Sequence, residues 1–197
     1  MRGTSDLRAK WDQRYGEPAP YPPPAAVLNE NQHLLPRRGR ALDLACGLGA
    51  SALLLAEHGL DVVARDLSPV AIERLTREAA ARGLRIETQV RDVCSLPPEP
   101  GAFDVVLVSH FLERDLAPAL MDALRPGGLI FYQTFSREAV NDCGPSNPAF
   151  RLARNELLDL FQPLLVRFYR EEGRVGDPSR GTRDIAQLVA QKPFCKS

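Results

Sequence analysis

Short apolar runs rich in β-branched residues alternate with helical patterns between Arg40 and Gln133. Such alternation is typical of parallel strands joined by crossover helices, and runs such as Val-Val-Leu-Val suit strands that are buried on both faces. The pattern predicts five strands, at Ala41–Ala45, Asp61–Arg65, Arg85–Arg91, Phe103–Ser109 and Leu129–Gln133. The sequence therefore predicts an α/β fold with a mostly parallel sheet.

Helix signals and a second kind of strand connection complete this pattern. Ser68 is a favoured N-cap, Pro69 suits the first turn of a helix, and Gly83 ends that helix. Nearer the C-terminus the pattern predicts a short helix and two strands, at Glu156–Phe161, Leu164–Tyr169 and Asp184–Gln191. Because no helix separates the two strands, they should pair antiparallel. We expect a doubly wound, seven-stranded sheet with helices on both faces and an antiparallel C-terminal strand.

Length and charge narrow the class of protein. The 197 residues, 44% of them hydrophobic, fit one domain with a sizeable core. We expect a single domain over residues 1–197, with a helical lid in residues 1–35 and the sheet in residues 36–197. Lys plus Arg number 25, as do Asp plus Glu, so no net charge favours nucleic acid or an anionic membrane. No apolar run approaches the roughly 20 residues of a membrane span, and the N-terminus lacks an apolar signal core, which predicts a cytoplasmic protein.

Cysteine usage gives no sign of a metal site. The chain has four cysteines, none of them in a C-x-x-C pair, at Cys46, Cys94, Cys143 and Cys195. Isolated cysteines of this kind are typical of reduced, unligated thiols. The sequence leaves the oligomeric state open.

The run Asp43-Leu44-Ala45-Cys46-Gly47-Leu48-Gly49 lies where the first strand gives way to a helix. Gly47 and Gly49 let the backbone turn tightly and let a ligand approach without a Cβ in the way, while the helix start offers unpaired N–H donors. Asp66 ends the second strand seventeen residues after Gly49, where a carboxylate can accept hydrogen bonds from both ribose hydroxyls of an adenosine. Helix capping ahead of Ser68 is the alternative role of Asp66.

Two classes of adenosine cofactor fit this turn, nicotinamide dinucleotides and S-adenosylmethionine (SAM). A dinucleotide site usually keeps the end of its first strand apolar, because the pyrophosphate requires N–H donors and no nearby anion. SAM has no phosphate and carries an ammonium and a sulfonium, so an acid at this position attracts it. Asp43 therefore favours SAM.

Later segments follow the glycine-rich run in a fixed order. They are Asp92-Val93 after the third strand, Phe103–Val108, Ser109-His110-Phe111-Leu112 directly after the fourth strand, and Leu124–Leu129 before the fifth. Together with the glycine-rich run, these segments resemble the motifs of class I SAM-dependent methyltransferases. The resemblance implies a Rossmann-like methyltransferase fold, SAM as cofactor and S-adenosylhomocysteine as its product.

The same resemblance implies roles for particular residues. Asp92 matches the family's acid that receives the adenine amino group, and Ser109 and Phe111 belong to the active-site segment. The residues expected to contact the cofactor are Asp43, Ala45, Cys46, Gly47, Gly49, Asp66, Leu67, Asp92, Val93, Ser109 and Phe111.

The N-terminal segment resembles a narrower group. Lys10-Trp11-Asp12-Gln13-Arg14-Tyr15 is similar to the W-D-x-R-Y opening of small bacterial methyltransferases grouped with the tellurite-resistance and thiopurine enzymes. Aromatic faces attract cations, so Trp11, Tyr15 and Tyr21 are candidate lid residues over the sulfonium, with the Pro-rich segment 18–24 as an extended arm. Alternatively, Trp11 and Tyr15 pin a helix to the core at i, i+4 spacing.

The catalytic candidates are His110, Tyr15 and Arg137. His110 is a candidate base or a backbone hydrogen-bonding partner, and Arg137 is a candidate for holding an anionic substrate or a solvated loop residue. The chain lacks the Asn/Asp-Pro-Pro-Tyr segment of amine-targeting methyltransferases. We therefore expect in-line methyl transfer to a small molecule such as a thiol, a metalloid oxyanion or another small nucleophile. The alternatives are a nicotinamide-dependent oxidoreductase and a non-catalytic SAM-binding module.

Overall fold

Seven strands and six α-helices occur among residues 4–18 and 20–194, the part of the chain that the computed structural model describes. The strands are β1 Arg40–Leu44, β2 Asp61–Asp66, β3 Ile86–Val90, β4 Phe103–Ser109, β5 Leu124–Phe135, β6 Leu165–Arg170 and β7 Ile185–Gln191. The α-helices are α1 Thr4–Gly16, α2 Ala26–Glu30, α3 Ala50–Glu57, α4 Pro69–Ala81, α5 Ala117–Ala123 and α6 Glu156–Leu160.

The strands lie in one sheet, in the order β3-β2-β1-β4-β5-β7-β6. Neighbouring strands from β1 to β5 pair parallel, and β7 pairs antiparallel with both β5 and β6. The predicted seven-stranded sheet with its antiparallel C-terminal strand is therefore confirmed. The order of strands reverses between β1 and β4, and ligands of such sheets bind outside the carboxyl ends of the strands at that point.

The central strand β4 explains why both faces of the sheet carry helices. Side chains alternate between the faces of a strand, so successive residues enter different cores. Val105 and Leu107 pack in a core cluster with α2, α3 and α4, whereas Val106 and Val108 pack in a second cluster with α5 and α6. All four side chains are fully buried.

Local sequence signals predict the start of α4 correctly, but they do not predict the start of β5. The Ser68 side chain accepts a hydrogen bond from the Ala71 N–H at 3.2 Å, and Pro69 opens the helix, as the sequence predicts. β5 begins at Leu124 and not at the predicted Leu129. Leu124 pairs with Phe103 across a register shift, and such long-range pairing leaves no local signal.

Residues 91–102 cross from β3 to β4 without a helix. A polar network holds this crossover: the buried Arg65 donates to Gln89 at 2.9 Å and to Glu99 at 2.7 Å, and Arg91 donates to Glu99 at 2.9 Å. Although partial burial would raise the pKa of Glu99, the hydrogen bonds from Arg65 and Arg91 lower it to about 2. The network fixes the loop that carries Asp92.

Three observations concern membrane spans, metal sites and cysteines. No helix within the described ranges is long and apolar enough to cross a membrane. The same ranges contain no cluster of side chains suited to hold a metal ion. Cys46, Cys94 and Cys143 are free, and Cys195 lies outside the described residues.

We predict that Gly49→Ala destabilises the protein more than Gly83→Ala does. Both glycines have left-handed φ angles, +74° and +68°, but a Cβ on Gly49 would lie 2.5 Å from a methyl carbon of Leu75 and one on Gly83 would meet nothing within 4 Å. The shared backbone strain costs about 1–2 kcal/mol, and overpacking adds about 1–3 kcal/mol at Gly49 alone. Urea unfolding measures both losses, and equal losses would contradict the packing account.

Candidate active site

The glycine-rich turn between β1 and α3 reverses the chain at the carboxyl edge of the sheet. Ala45, Gly47 and Gly49 have φ angles of +55°, +53° and +74°. The Cys46 N–H donates to the Arg65 carbonyl at 3.0 Å, which ties the turn to β2, and the Gly49 N–H donates to the Cys46 carbonyl at 2.9 Å. Gly49 then caps α3, so the turn brings the start of a helix to the site.

Asp66 joins this turn to the start of α4. One carboxylate oxygen accepts the Gly47 N–H and the other accepts the Ser68 N–H, each at 2.8 Å. Burial raises the pKa of Asp66, the N–H groups of Ser68, Gly47 and Leu67 lower it, and the nearby Asp12 raises it. Asp66 thus bonds the N–H of Ser68, and Ser68 itself caps α4. Each carboxylate oxygen keeps a further lone pair for a ligand hydroxyl.

Asp43 is buried near Asp66 with one carboxylate oxygen unpaired. It is 2% exposed, and its Oδ2 atom has no hydrogen-bond partner among the residues that the structure describes. Burial raises the pKa of Asp43 to about 8, the Ala52 N–H opposes this shift, and Asp66 adds to it. A buried carboxyl group without a partner is unfavourable, and an ionised pair of carboxylates attracts a cation. The position therefore favours a positively charged ligand group.

α1 covers the turn with Tyr15. A Cβ built on Gly47 would lie 2.8 Å from the Tyr15 hydroxyl oxygen, so any side chain at position 47 would displace the tyrosine. The rings of Trp11 and Tyr15 stack with their centroids 5.7 Å apart. Burial raises the pKa of Tyr15, and the nearby Asp66 raises it further. The phenol therefore stays neutral over the acidic site.

α1 is attached to α4 and to the turn, and to neither core cluster. None of its residues is fully buried, and Trp11, Asp12 and Tyr15 are half-buried. The Ser68 hydroxyl donates a short hydrogen bond to Asp12, and Arg74 Nη1 donates to the Tyr15 carbonyl at 2.6 Å. The helix thus rests on the rim of the site through a few polar contacts.

Tyr21, the third lid candidate, has a different location. Its ring packs against the core cluster that contains α3, and its buried hydroxyl has no partner among the described residues. A cavity of about 100 Å³ lies beside it, lined in part by Leu53 and Leu54 of α3. The structure therefore brings Tyr15 to the glycine-rich turn with Trp11 stacked on it, and anchors Tyr21 on α3. Ala19 of the Pro-rich segment lies outside the described residues.

The end of β4 presents His110. Its backbone has a left-handed φ angle of +54°, and its N–H donates to the Gln133 carbonyl at 2.9 Å. Ser109 Oγ lies 3.0 Å from His110 Nδ1, and the Phe135 ring centroid lies 5.0 Å from the imidazole centroid. The surrounding atoms and the positive charge of Arg14 lower the pKa of His110, while part of the side chain remains exposed. A neutral, accessible imidazole results.

The other cofactor candidates have main-chain or core partners. The Asp92 carboxylate caps its own turn: Oδ1 accepts from the Cys94 N–H at 3.1 Å and Oδ2 accepts from the Ser95 hydroxyl at 2.9 Å. Val93 is 6% exposed and belongs to the core cluster on the α5 side. The Phe111 carbonyl accepts a hydrogen bond from a tyrosine hydroxyl of β5 at 2.8 Å.

Arginine side chains hold the loop after β5. Arg137 Nε donates to the Pro148 carbonyl at 3.3 Å, and no described contact joins Arg137 to His110. Arg114 and Arg151, which the sequence analysis did not single out, donate to further carbonyls of this region, those of Ser136, Cys143, Pro145, Ala149 and Arg151. Arg114 lies 35 residues from one of its acceptors, so no local pattern reveals its role.

Comparisons with known proteins match part of this chain to methyltransferases. A family model described as a methyltransferase domain matches residues 41–128. The ubiquinone biosynthesis O-methyltransferase of Methylocella silvestris is 40% identical over 103 residues, which are 50% of this chain and 40% of that protein. The chain thus matches less than half the length of this relative.

Two solved structures share the fold. One comes from work on the conversion of a disulfide bond into a thioacetal group during echinomycin biosynthesis, with a TM-score of 0.71, 25% identity and coverage of 98% of this chain and 94% of that one. The other is a SAM-dependent methyltransferase from Methanosarcina mazei, with a TM-score of 0.66, 18% identity and coverage of 88% and 100%.

The fold and the match of residues 41–128 to a model of a methyltransferase domain agree with the predicted class I SAM-dependent methyltransferase. The predictions of the class, of its Rossmann-like fold and of SAM as its cofactor are confirmed, and a nicotinamide-dependent oxidoreductase is set aside. The narrower resemblance to tellurite-resistance and thiopurine enzymes stays a prediction.

Proposed function

We propose that this chain is an enzyme that transfers a methyl group from SAM to a small-molecule acceptor by in-line displacement. The observation that carries this proposal is the buried carboxyl oxygen of Asp43, near Asp66 at the glycine-rich turn, which has no hydrogen-bond partner among the described residues. Two acidic groups in a buried site favour a ligand that is positively charged there and oppose a pyrophosphate. The pair therefore supports SAM over a nicotinamide dinucleotide.

We assign the cofactor contacts to the loops at the carboxyl edge of the sheet. Asp43 and the glycine-rich turn would hold the amino-acid end of SAM, Asp66 the ribose and Asp92 the adenine. The rest of the contact surface would come from Ala45, Cys46, Gly47, Gly49, Leu67, Val93, Ser109 and Phe111, with Trp11 and Tyr15 above it. When bound, SAM supplies a methyl group on a positively charged sulfur.

The catalytic roles follow from position and charge. His110 would take a proton from the acceptor, since its lowered pKa keeps the imidazole neutral and part of it is exposed. Tyr15 would exclude water from the turn that it covers. Arg137, on the loop after β5, would hold an anionic part of the acceptor.

The names of similar proteins favour some candidate acceptor molecules over others. The similar structure from echinomycin biosynthesis concerns the conversion of a disulfide bond, and the Methylocella relative is an O-methyltransferase. We therefore favour sulfur and oxygen nucleophiles, with a thiol first. A metalloid oxyanion, which the N-terminal resemblance suggests, is the second candidate.

The proposal also covers the binding partners of the protein and its cellular compartment. Equal numbers of acidic and basic residues support a protein without a nucleic-acid or membrane partner. Free thiols at Cys46, Cys94 and Cys143 support a reducing compartment such as the cytoplasm.

We predict that S-adenosylhomocysteine raises the melting temperature of the protein and that NAD does not. A ligand at about 100 times its dissociation constant stabilises the folded state by roughly 2.7 kcal/mol, which differential scanning fluorimetry detects readily. Stabilisation by NAD alone would contradict the cofactor assignment. Turnover of SAM with thiols and metalloid oxyanions then separates an enzyme from a binding module.

We also propose that α1 and the segment leading to Tyr21, within residues 1–35, form a lid over the cofactor. The support is that α1 has no fully buried residue, bonds α4 through polar side chains and extends Tyr15 over Gly47. A helix of 13 residues is marginal in water unless it gains tertiary contacts, so a ligand beneath it would stabilise it.

We predict that the main-chain amides of α1 gain protection from hydrogen exchange when S-adenosylhomocysteine binds, whereas those of α5 change little. Tyr15→Ala should weaken that binding about tenfold, or roughly 1.4 kcal/mol, while the exposed Arg8→Ala on the same helix leaves it unchanged. Calorimetry and exchange mass spectrometry measure these effects. Equal hydrogen exchange of the α1 amides with and without ligand would contradict the lid proposal and indicate that α1 is an ordinary surface helix.

A further inference from the structure

The backbone of His110 is held in a conformation that few residues other than glycine adopt. Its φ angle is +54°, and its N–H is bonded to the Gln133 carbonyl of the neighbouring strand at 2.9 Å. A non-glycine residue persists in this region only where the surrounding structure fixes it. The strand pairing between β4 and β5 therefore sets the point from which the imidazole projects.

Two contacts restrain the imidazole ring itself. Ser109 Oγ lies 3.0 Å from Nδ1, and the Phe135 ring packs on the imidazole at a centroid distance of 5.0 Å with an interplanar angle of 43°. Nε2 makes no hydrogen bond within the described ranges. Nε2 is therefore the ring nitrogen left for an acceptor molecule.

Phe135 is itself fixed by the loop that follows β5. The Arg151 guanidinium lies 5.7 Å from the Phe135 centroid, and a Cβ on Gly144 would lie 2.5 Å from the same ring. Arg151 also donates to the carbonyls of Pro145 at 2.7 Å and Ser136 at 3.0 Å. The Phe135 ring that packs on His110 is therefore itself held in place by the loop.

We propose that Ser109 is a positioning residue that accepts the Nδ1 proton of His110, and that Phe135 fixes the ring plane, so that unprotonated Nε2 faces the acceptor. This inference rests on the proposed function, because it assumes an acceptor that must lose a proton. In that step the acceptor's bond to hydrogen breaks, its electron pair stays on the acceptor, and the proton forms a bond with Nε2. The imidazolium later returns the proton to water.

The surroundings of the ring favour its neutral form. Burial and the positive charge of Arg14 on α1 lower the pKa of His110, so both disfavour the imidazolium. A neutral ring has one protonated nitrogen, and Nδ1 carries that proton when the Ser109 hydroxyl accepts from it.

The test reads the tautomer in the free protein, without cofactor or acceptor. The chain has three histidines, and His33 and His58 are exposed, so the double variant His33→Gln, His58→Gln leaves His110 as the one NMR reporter. Two-bond ¹H–¹⁵N correlations should show the Nδ1–H tautomer as the major form.

In this background Ser109→Ala should shift the population toward Nε2–H, and Ser109→Thr should restore Nδ1–H. Ser179→Ala, in an exposed turn, is the matched control and should change nothing.

A pH titration of the same NMR signals tests the direction of the Ser109–His110 hydrogen bond independently. If Ser109 accepts from Nδ1, its hydrogen bond stabilises the imidazolium, and Ser109→Ala lowers the pKa of His110 further. If the hydroxyl donates to Nδ1, the variant raises that pKa or leaves it unchanged. Phe135→Leu should remove the ring-current shift of the His110 ring protons, and Phe135→Tyr should retain it. A major Nε2–H tautomer, or a raised or unchanged pKa in Ser109→Ala, overturns the inference whatever the outcome of the S-adenosylhomocysteine binding test.

Discussion

The two hydrogen bonds of the Asp66 carboxylate hold the site together. One comes from the glycine-rich turn after β1 and the other from the residue that caps α4, so a single buried side chain at the end of β2 fixes both neighbouring loops. The cap residue Ser68 in turn bonds Asp12 of α1. The glycine-rich turn, α4 and the covering helix α1 are therefore positioned through one carboxyl group.

This arrangement leaves the free protein with an electrostatic cost. Asp43 and Asp66 are both buried and both have raised pKa values, and Asp43 keeps an oxygen without a partner among the described residues. Well-packed cores avoid such groups, and where they occur they indicate a binding or catalytic role. A cationic ligand group offsets this cost, so the buried carboxyl groups favour its binding.

The sequence predicts what local chemistry decides. Ser68 and Pro69 begin α4, and alternating apolar residues place β4 between two cores, because capping and strand periodicity act over a few residues. The Arg65–Glu99 ion pair across the β3–β4 crossover, the arginines that pin the loop after β5 and the contact of Phe135 with His110 join residues that are far apart in sequence. Within the candidate site, the glycine-rich turn and Asp66 were therefore predictable, whereas the surroundings of His110 were not.

The most direct test of the acidic site is the proton balance of cofactor binding. With a pKa of about 8, Asp43 is mostly protonated at pH 7 in the free protein, and a bound ammonium group stabilises the carboxylate, so binding must release a proton. Calorimetric titration with S-adenosylhomocysteine at pH 7, in buffers of different ionisation enthalpy, should show release approaching one proton per ligand. Asp43→Asn should abolish the release and weaken binding. Binding without proton release, or an unchanged proton balance and affinity in Asp43→Asn, would contradict the account.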